Sequence, residues 1–127
     1  MSTRKTLKVG IASYADMKAR TLAIARGEHQ PSRDEPKVWF TSLESLAKVL
    51  SARNQLLLEQ IATEKPSSLA ELEAISGRAK SNLSRTLRTM ERYGLVELSE
   101  GRGRKLVPRV PYSRIRFDVP LLSHTDV

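Results

Sequence analysis

Ser81, Arg85, Arg88 and Arg92 recur at intervals of three and four residues, which lays them along one face of a helix. The chemistry open to such a stripe is recognition rather than bond making. A guanidinium offers a planar fork of N–H donors that matches phosphate oxygens or the O6/N7 edge of guanine. Asn82 and Ser84 add an amide and a hydroxyl suited to base edges, and Lys80 adds a point charge suited to phosphate. A second cationic group follows in Arg102, Arg104 and Lys105, interleaved with Gly101 and Gly103. Across residues 76–105 the cations outnumber the anions by five. An exposed helix charged only for solubility would carry the same stripe, and the basic turn that follows it favours nucleic-acid contact.

Two elements must hold these groups. Ser68-Leu69-Ala70-Glu71-Leu72 opens a short helix that stops near Gly77. A longer helix then runs to Tyr93-Gly94, with Leu83, Leu87 and Met90 on the face opposite the arginines. Its expected start, near Ala79, has no good side-chain cap. Leu95-Val96-Glu97-Leu98 is strand-prone, and Leu106-Val107 resumes the extended pattern after the glycine-rich turn. Helix, turn, helix, strand, basic turn and strand, in that order, read as a winged helix-turn-helix. Arg88 is expected to touch phosphate or to pair with Glu91 or Glu97. Arg92, at the helix C-terminus, is expected to serve the helix dipole.

The flanks supply further elements. Leu7-Lys8-Val9-Gly10-Ile11 alternates as a strand, and residues 113–119 form a second candidate strand able to pair with it. Ser13 caps a predicted helix over residues 14–26, with Met17, Leu22, Ile24 and Ala25 as its apolar side and Gly27 as its stop. Val38-Trp39-Phe40 precedes a helix capped by Thr41 or Ser42. Trp39 and Phe40 are read as core or dimer-interface residues. Residues 51–54 either break that helix or carry it into the next, which ends at Lys65-Pro66.

Several stretches resemble the ArsR/MarR-like winged-helix regulators: Leu56-Leu57-Leu58-Glu59-Gln60-Ile61, Leu69-Ala70-Glu71-Leu72, Ser81-Asn82-Leu83-Ser84-Arg85-Thr86-Leu87 and Glu91-Arg92-Tyr93-Gly94-Leu95-Val96. Residues 20–28 and 35–42 look like a narrower prokaryotic family of antitoxin-like winged-helix regulators. Members of that family are found beside small toxin genes, including the TumE type. The resemblance implies a homodimeric repressor of its own operon and a cognate protein toxin as a second partner.

Composition bounds the alternatives. A chain of 127 residues is one domain with room for a small appendage. Its net charge of +8 favours a polyanionic partner. It has no cysteine, hence neither disulfide nor thiolate chemistry. No apolar run approaches the length of a membrane span, and residues 1–5 lack the apolar stretch of a secretory signal, so a cytoplasmic protein without membrane contact is expected. His29 and His124 form no ligand pair, phosphate-cradling and nucleophile-elbow motifs are absent, and Asp34-Glu35 falls in a loop. No enzyme, metal or cofactor is therefore expected.

The expected fold class is mainly α with a small β component (α+β): a winged helix-turn-helix with an N-terminal strand-helix extension. Residues 1–36 form the extension, 37–119 the winged domain and 120–127 a tail. The expected function is sequence-specific binding of double-stranded operator DNA by a homodimer. The DNA-binding residues are expected to be Lys80, Ser81, Asn82, Ser84, Arg85, Arg88, Arg102, Arg104 and Lys105. The alternatives are a protein-binding antitoxin whose main role is direct toxin neutralisation, and an RNA-binding winged helix. The recognition face carries no aromatic side chain, which disfavours RNA.

Overall fold

Alternation at Leu7 and Val9 builds strand β1 (Thr6–Ile11), and both side chains are buried. The computed structural model describes residues 5–31 and 35–122; the readings placed on residues 1–4, Asp34 and His124 lie outside them. β1 is the middle strand of a three-stranded sheet, ordered β2-β1-β5. Strand β5 (Arg114–Asp118) pairs with it in parallel, Leu7 opposite Ile115 and Val9 opposite Phe117. The expected pairing of the two terminal strands is thus present. β2 (Val38–Phe40) pairs in parallel on the other side, Val9 opposite Val38. Gly10 is required there, because a Cβ would lie 2.6 Å from the Trp39 ring.

Helix α1 (Tyr14–Ala25) connects β1 to β2, as parallel pairing requires a crossover. Ser13 caps it, accepting from the Asp16 N–H at 3.1 Å. The apolar side read from Met17, Leu22, Ile24 and Ala25 needs correction, since no residue of α1 is buried. Met17, Arg20, Ala23 and Ile24 are half-buried and the rest of the helix is exposed, and polar contacts help hold it. The Arg20 guanidinium lies 5.4 Å from the Trp39 ring centroid and donates to Glu35 at 2.5 Å. His29 Nε2 meets the other Glu35 oxygen at 2.7 Å. The hydrogen bond from Arg20 holds the Glu35 carboxyl below its ordinary range.

The remaining helices follow their capping serines. Ser42 opens α2 (Leu43–Val49) with a reciprocal capping box to Ser45. Ser51 ends any continuity with the next helix by capping α3 (Ala52–Glu64). Ser68 caps α4 (Leu69–Ser76), which stops at Gly77 with φ of 73°. α5 (Lys80–Arg92) follows, then an antiparallel hairpin of β3 (Glu97–Glu100) and β4 (Leu106–Arg109). Pro108 does not interrupt β4. It sits opposite Leu98 and is buried, and among the described residues β4 has β3 alone beside it, so it is an edge strand, where proline is tolerated.

The fold is α+β, a winged helix-turn-helix with a strand-helix extension. One core joins the three-stranded sheet to the winged domain: Leu7, Val9 and Phe40 of the sheet belong to the same buried cluster as Leu57, Leu72 and Leu87 of the helices, while α1 adds no buried residue to it. Phe40 stacks on Tyr93 at a centroid distance of 4.0 Å, tying β2 to the end of α5. Phe40 is therefore a core residue, and Trp39 is half-buried over Gly10.

Candidate nucleic-acid interface

α5 is seated by its apolar stripe. Leu83, Leu87 and Met90 are fully buried, each contributing about 1.5–3 kcal/mol of hydrophobic stabilisation. That seating turns Lys80, Ser81, Arg85 and Arg88 outward, and all four are exposed. Ser84 is half-buried at the edge of the same face. The start of α5 is uncapped, as expected: Ala79 supplies no side-chain acceptor to the first-turn N–H groups. Among the described residues, no ion pair joins Arg88 to Glu91 or Glu97.

A buried arginine orients this helix. Arg78, in the turn between α4 and α5, is only 8% exposed. Its Nε donates to Asn82 Oδ1 at 2.8 Å, one terminal nitrogen donates to Asn54 Oδ1 at 3.0 Å, and the other donates to Thr86 Oγ1 at 3.1 Å. Asn54 is anchored in turn, its amide donating to the Val49 carbonyl at 3.0 Å. One guanidinium thus links the end of α2, the first turn of α3 and the first two turns of α5. All its side-chain acceptors are neutral, and burial, followed by the nearby Arg53 charge, pulls its pKa below the ordinary arginine value. Arginine still stays protonated.

This network changes the part Asn82 can play. Its carbonyl oxygen is engaged by Arg78, so the two-point pairing of Asn with adenine is blocked while that bond lasts. Asn82 is a positioning residue with its Nδ2 still available. Arg78 and Asn54 escaped sequence reading because each acts through partners distant along the chain. The only early signal was the missing cap at Ala79, beside Arg78. Arg85 also lines an open depression of about 270 Å³ whose far wall is Lys48, Val49 and Asn54, so Lys48 joins the cationic face.

The wing is stiffened at its base and its tip. The Arg109 guanidinium donates to the Pro66 carbonyl at 3.0 Å and to its neighbour Pro108 at 2.7 Å. Gly101 admits Val107, which would stand 2.7 Å from a Cβ. Arg102, Arg104 and Lys105 are all exposed. Hydrogen bonds from Ser67, with a smaller contribution from the Lys105 charge, hold the Glu71 carboxyl of α4 below its usual range.

At the tip, Gly103 and Arg104 both adopt positive φ, 66° and 60°, the pattern of a type I′ hairpin turn. For an arginine this conformation costs about 1 kcal/mol. A charged, strained residue at an exposed tip points to use of its side chain. Arg104→Asn should therefore stabilise the fold by a few tenths to about 1 kcal/mol, because Asn tolerates the left-handed region. Urea unfolding checks this, and a loss of stability would contradict it.

Comparison with known proteins covers part of this architecture. A family model named HVO_A0114 matches residues 49–117. The chain belongs to the HVO_A0114 family. The HVO_A0114 match begins at the last residue of α2 and ends within β5, so it takes in α3, the α4-α5 pair, the wing and most of β5. It leaves out β1, α1 and β2, and with them residues 20–28 and 35–42, on which the antitoxin resemblance rests. No curated protein and no solved structure matches the chain. Among the described residues, no helix is long and apolar enough to cross a membrane.

Proposed function

We propose that this protein is a sequence-specific, double-stranded DNA-binding transcriptional regulator that represses its own operon as a homodimer. The observation that carries the reading is the pairing of two cationic surfaces on one rigid unit. The outward face of α5 offers Lys80, Ser81, Arg85 and Arg88, while the wing tip offers Arg102 and a conformationally strained Arg104. In this reading α5 enters the major groove and the wing lies on the adjoining backbone. The uncapped first turn of α5 suits a phosphate, which would meet its free N–H groups. Repression is then steric, the bound dimer excluding RNA polymerase. The antitoxin role and the cognate toxin belong to the same proposal, supported by the resemblance in residues 20–28 and 35–42.

The two surfaces have different tasks. Arg85 sits in the second turn of α5, within reach of a base edge. Arg104 sits where backbone contact is the geometric option. Arg85→Ala should cost about 1–3 kcal/mol on a cognate duplex and relax the preference at one position in each half-site. Arg104→Ala should weaken cognate and scrambled duplexes by similar factors and lower the salt slope by about one per wing. Fluorescence anisotropy on matched duplexes decides between them. If Arg85→Ala weakens both duplexes equally while Arg104→Ala alters sequence preference, the wing is the reading element.

A further inference from the structure

Strand β5 ends its sheet, and its outer edge has no strand beside it among the described residues. Open edges are pairing templates that proteins normally cover or defend with charge. Register with β1 sets the two faces of β5. Ile115 and Phe117 lie beside the buried Leu7 and Val9, while Arg114, Arg116 and Asp118 lie beside Thr6, Lys8 and Gly10. Phe117 is nevertheless 53% exposed. It borders an apolar groove of about 740 Å³, walled by Leu43, Leu50, Leu58, Val110 and Tyr112. Just beyond β5, Leu121 and Leu122 are 97% and 68% exposed. Phe117, Leu121 and Leu122, close together along the chain, are thus large apolar side chains left uncovered.

We propose that the outer edge of β5 pairs antiparallel with β5 of a second copy of this chain, about a two-fold axis at Arg116. An antiparallel pair of identical strands has its axis normal to the sheet. Each copy then keeps Ile115 and Phe117 on the same side, and facing residues share a face. The register centred on Arg116 sets all five residues of β5 against all five of the other copy. In that register Arg114 faces Asp118 and Ile115 faces Phe117, each pair occurring twice. The charges that would defend the edge against other strands thus complement this one. Arg116 faces its own copy, with the second copy's Asp118 on the diagonal to temper the repulsion.

The same register closes the groove. After Asp118 the second copy's chain leaves its strand beside Ser113 and runs along the wall formed by Tyr112 and Val110. In this arrangement the exposed Leu121 and Leu122 of each copy are the side chains offered to the other's groove. The occupant of the groove is then Leu121 and Leu122 of the second copy, and the assembled sheet has six strands, two copies of β2-β1-β5.

This inference specifies the dimer invoked under the proposed function, and its test uses no DNA, so the two readings can fail separately. Sedimentation of the full chain across the micromolar range should show a dimer. Arg114→Asp or Asp118→Arg alone sets like charges opposite each other and should weaken the dimer about tenfold or more. The double exchange, Arg114→Asp with Asp118→Arg, should restore it, which a misfolded variant could not do. The chain has no cysteine, so Arg116→Cys can be oxidised cleanly. It should give a disulfide-linked dimer, whereas Arg102→Cys should not. A monomeric wild type overturns the proposal. A dimer indifferent to both single reversals and to oxidation of Arg116→Cys overturns the β5 edge while leaving dimeric DNA binding intact.

Discussion

Arg78→Ala is expected to lower the unfolding free energy by about 2–4 kcal/mol, since it removes three hydrogen bonds made by a charged donor. The loss also strands Asn54 Oδ1, Asn82 Oδ1 and Thr86 Oγ1, all part-buried acceptors chosen to meet that fork. Release of a buried guanidinium from its desolvation cost offsets part of the loss, which keeps the value below the simple sum of three charge-assisted bonds. Arg78→Lys should recover little, because an ammonium on a flexible stem cannot serve three divergent acceptors at once. Urea unfolding of the two variants gives the number directly. The accompanying change should be faster amide exchange in α5, whose first two turns lose their tie to α3. An unchanged midpoint would mean that Arg78 is held by the fold rather than holding it.

How much of this was open to sequence reading varies by element. The buried and exposed faces of α5 follow from spacing alone, because Leu83, Leu87 and Met90 repeat with the helical period. The caps at Ser13, Ser42 and Ser68 were readable or narrowly bracketed, since a hydroxyl before an apolar run has a local job; the cap at Ser51 was not, because residues 51–54 read equally as a break or as a continuous helix. The wing was readable from its glycines, and the partnership of β1 with β5 from the need of a lone strand for a neighbour. Local pattern failed where length or distance intervened. Val38-Trp39-Phe40 is too short to show alternation, so β2 passed for a lead-in to α2. The apolar residues of α1 read as a broad apolar side, yet Met17 and Ile24 are only half-buried and Leu22 and Ala25 are exposed. In the candidate site the exposed cations were legible from charge and period. The Arg78 bridge was not, because its partners stand 4, 8 and 24 residues away and converge only when α3 packs under α5. That bridge also turns Asn82 into a supporting side chain, its oxygen held by Arg78.

The cationic face leads to the larger effect. Lys80, Arg85 and Arg88 on α5, with Arg102, Arg104 and Lys105 on the wing, are all exposed. Two such faces in a dimer should neutralise roughly 6–10 phosphates, each releasing condensed counterions. Affinity for duplex DNA from the protein's own promoter should then fall by about 10³–10⁵ between about 50 and 200 mM salt. A variant carrying Arg85→Ala, Arg88→Ala, Arg102→Ala and Arg104→Ala in both subunits should show a much shallower slope with its fold intact, because none of the four side chains is buried. The decisive measurement is the logarithm of affinity against the logarithm of salt concentration for wild type and this variant on the same duplex. A steep wild-type line and a shallow variant line are predicted. A wild-type affinity that barely moves with salt, or equal slopes for the two proteins, would contradict DNA docking through α5 and the wing.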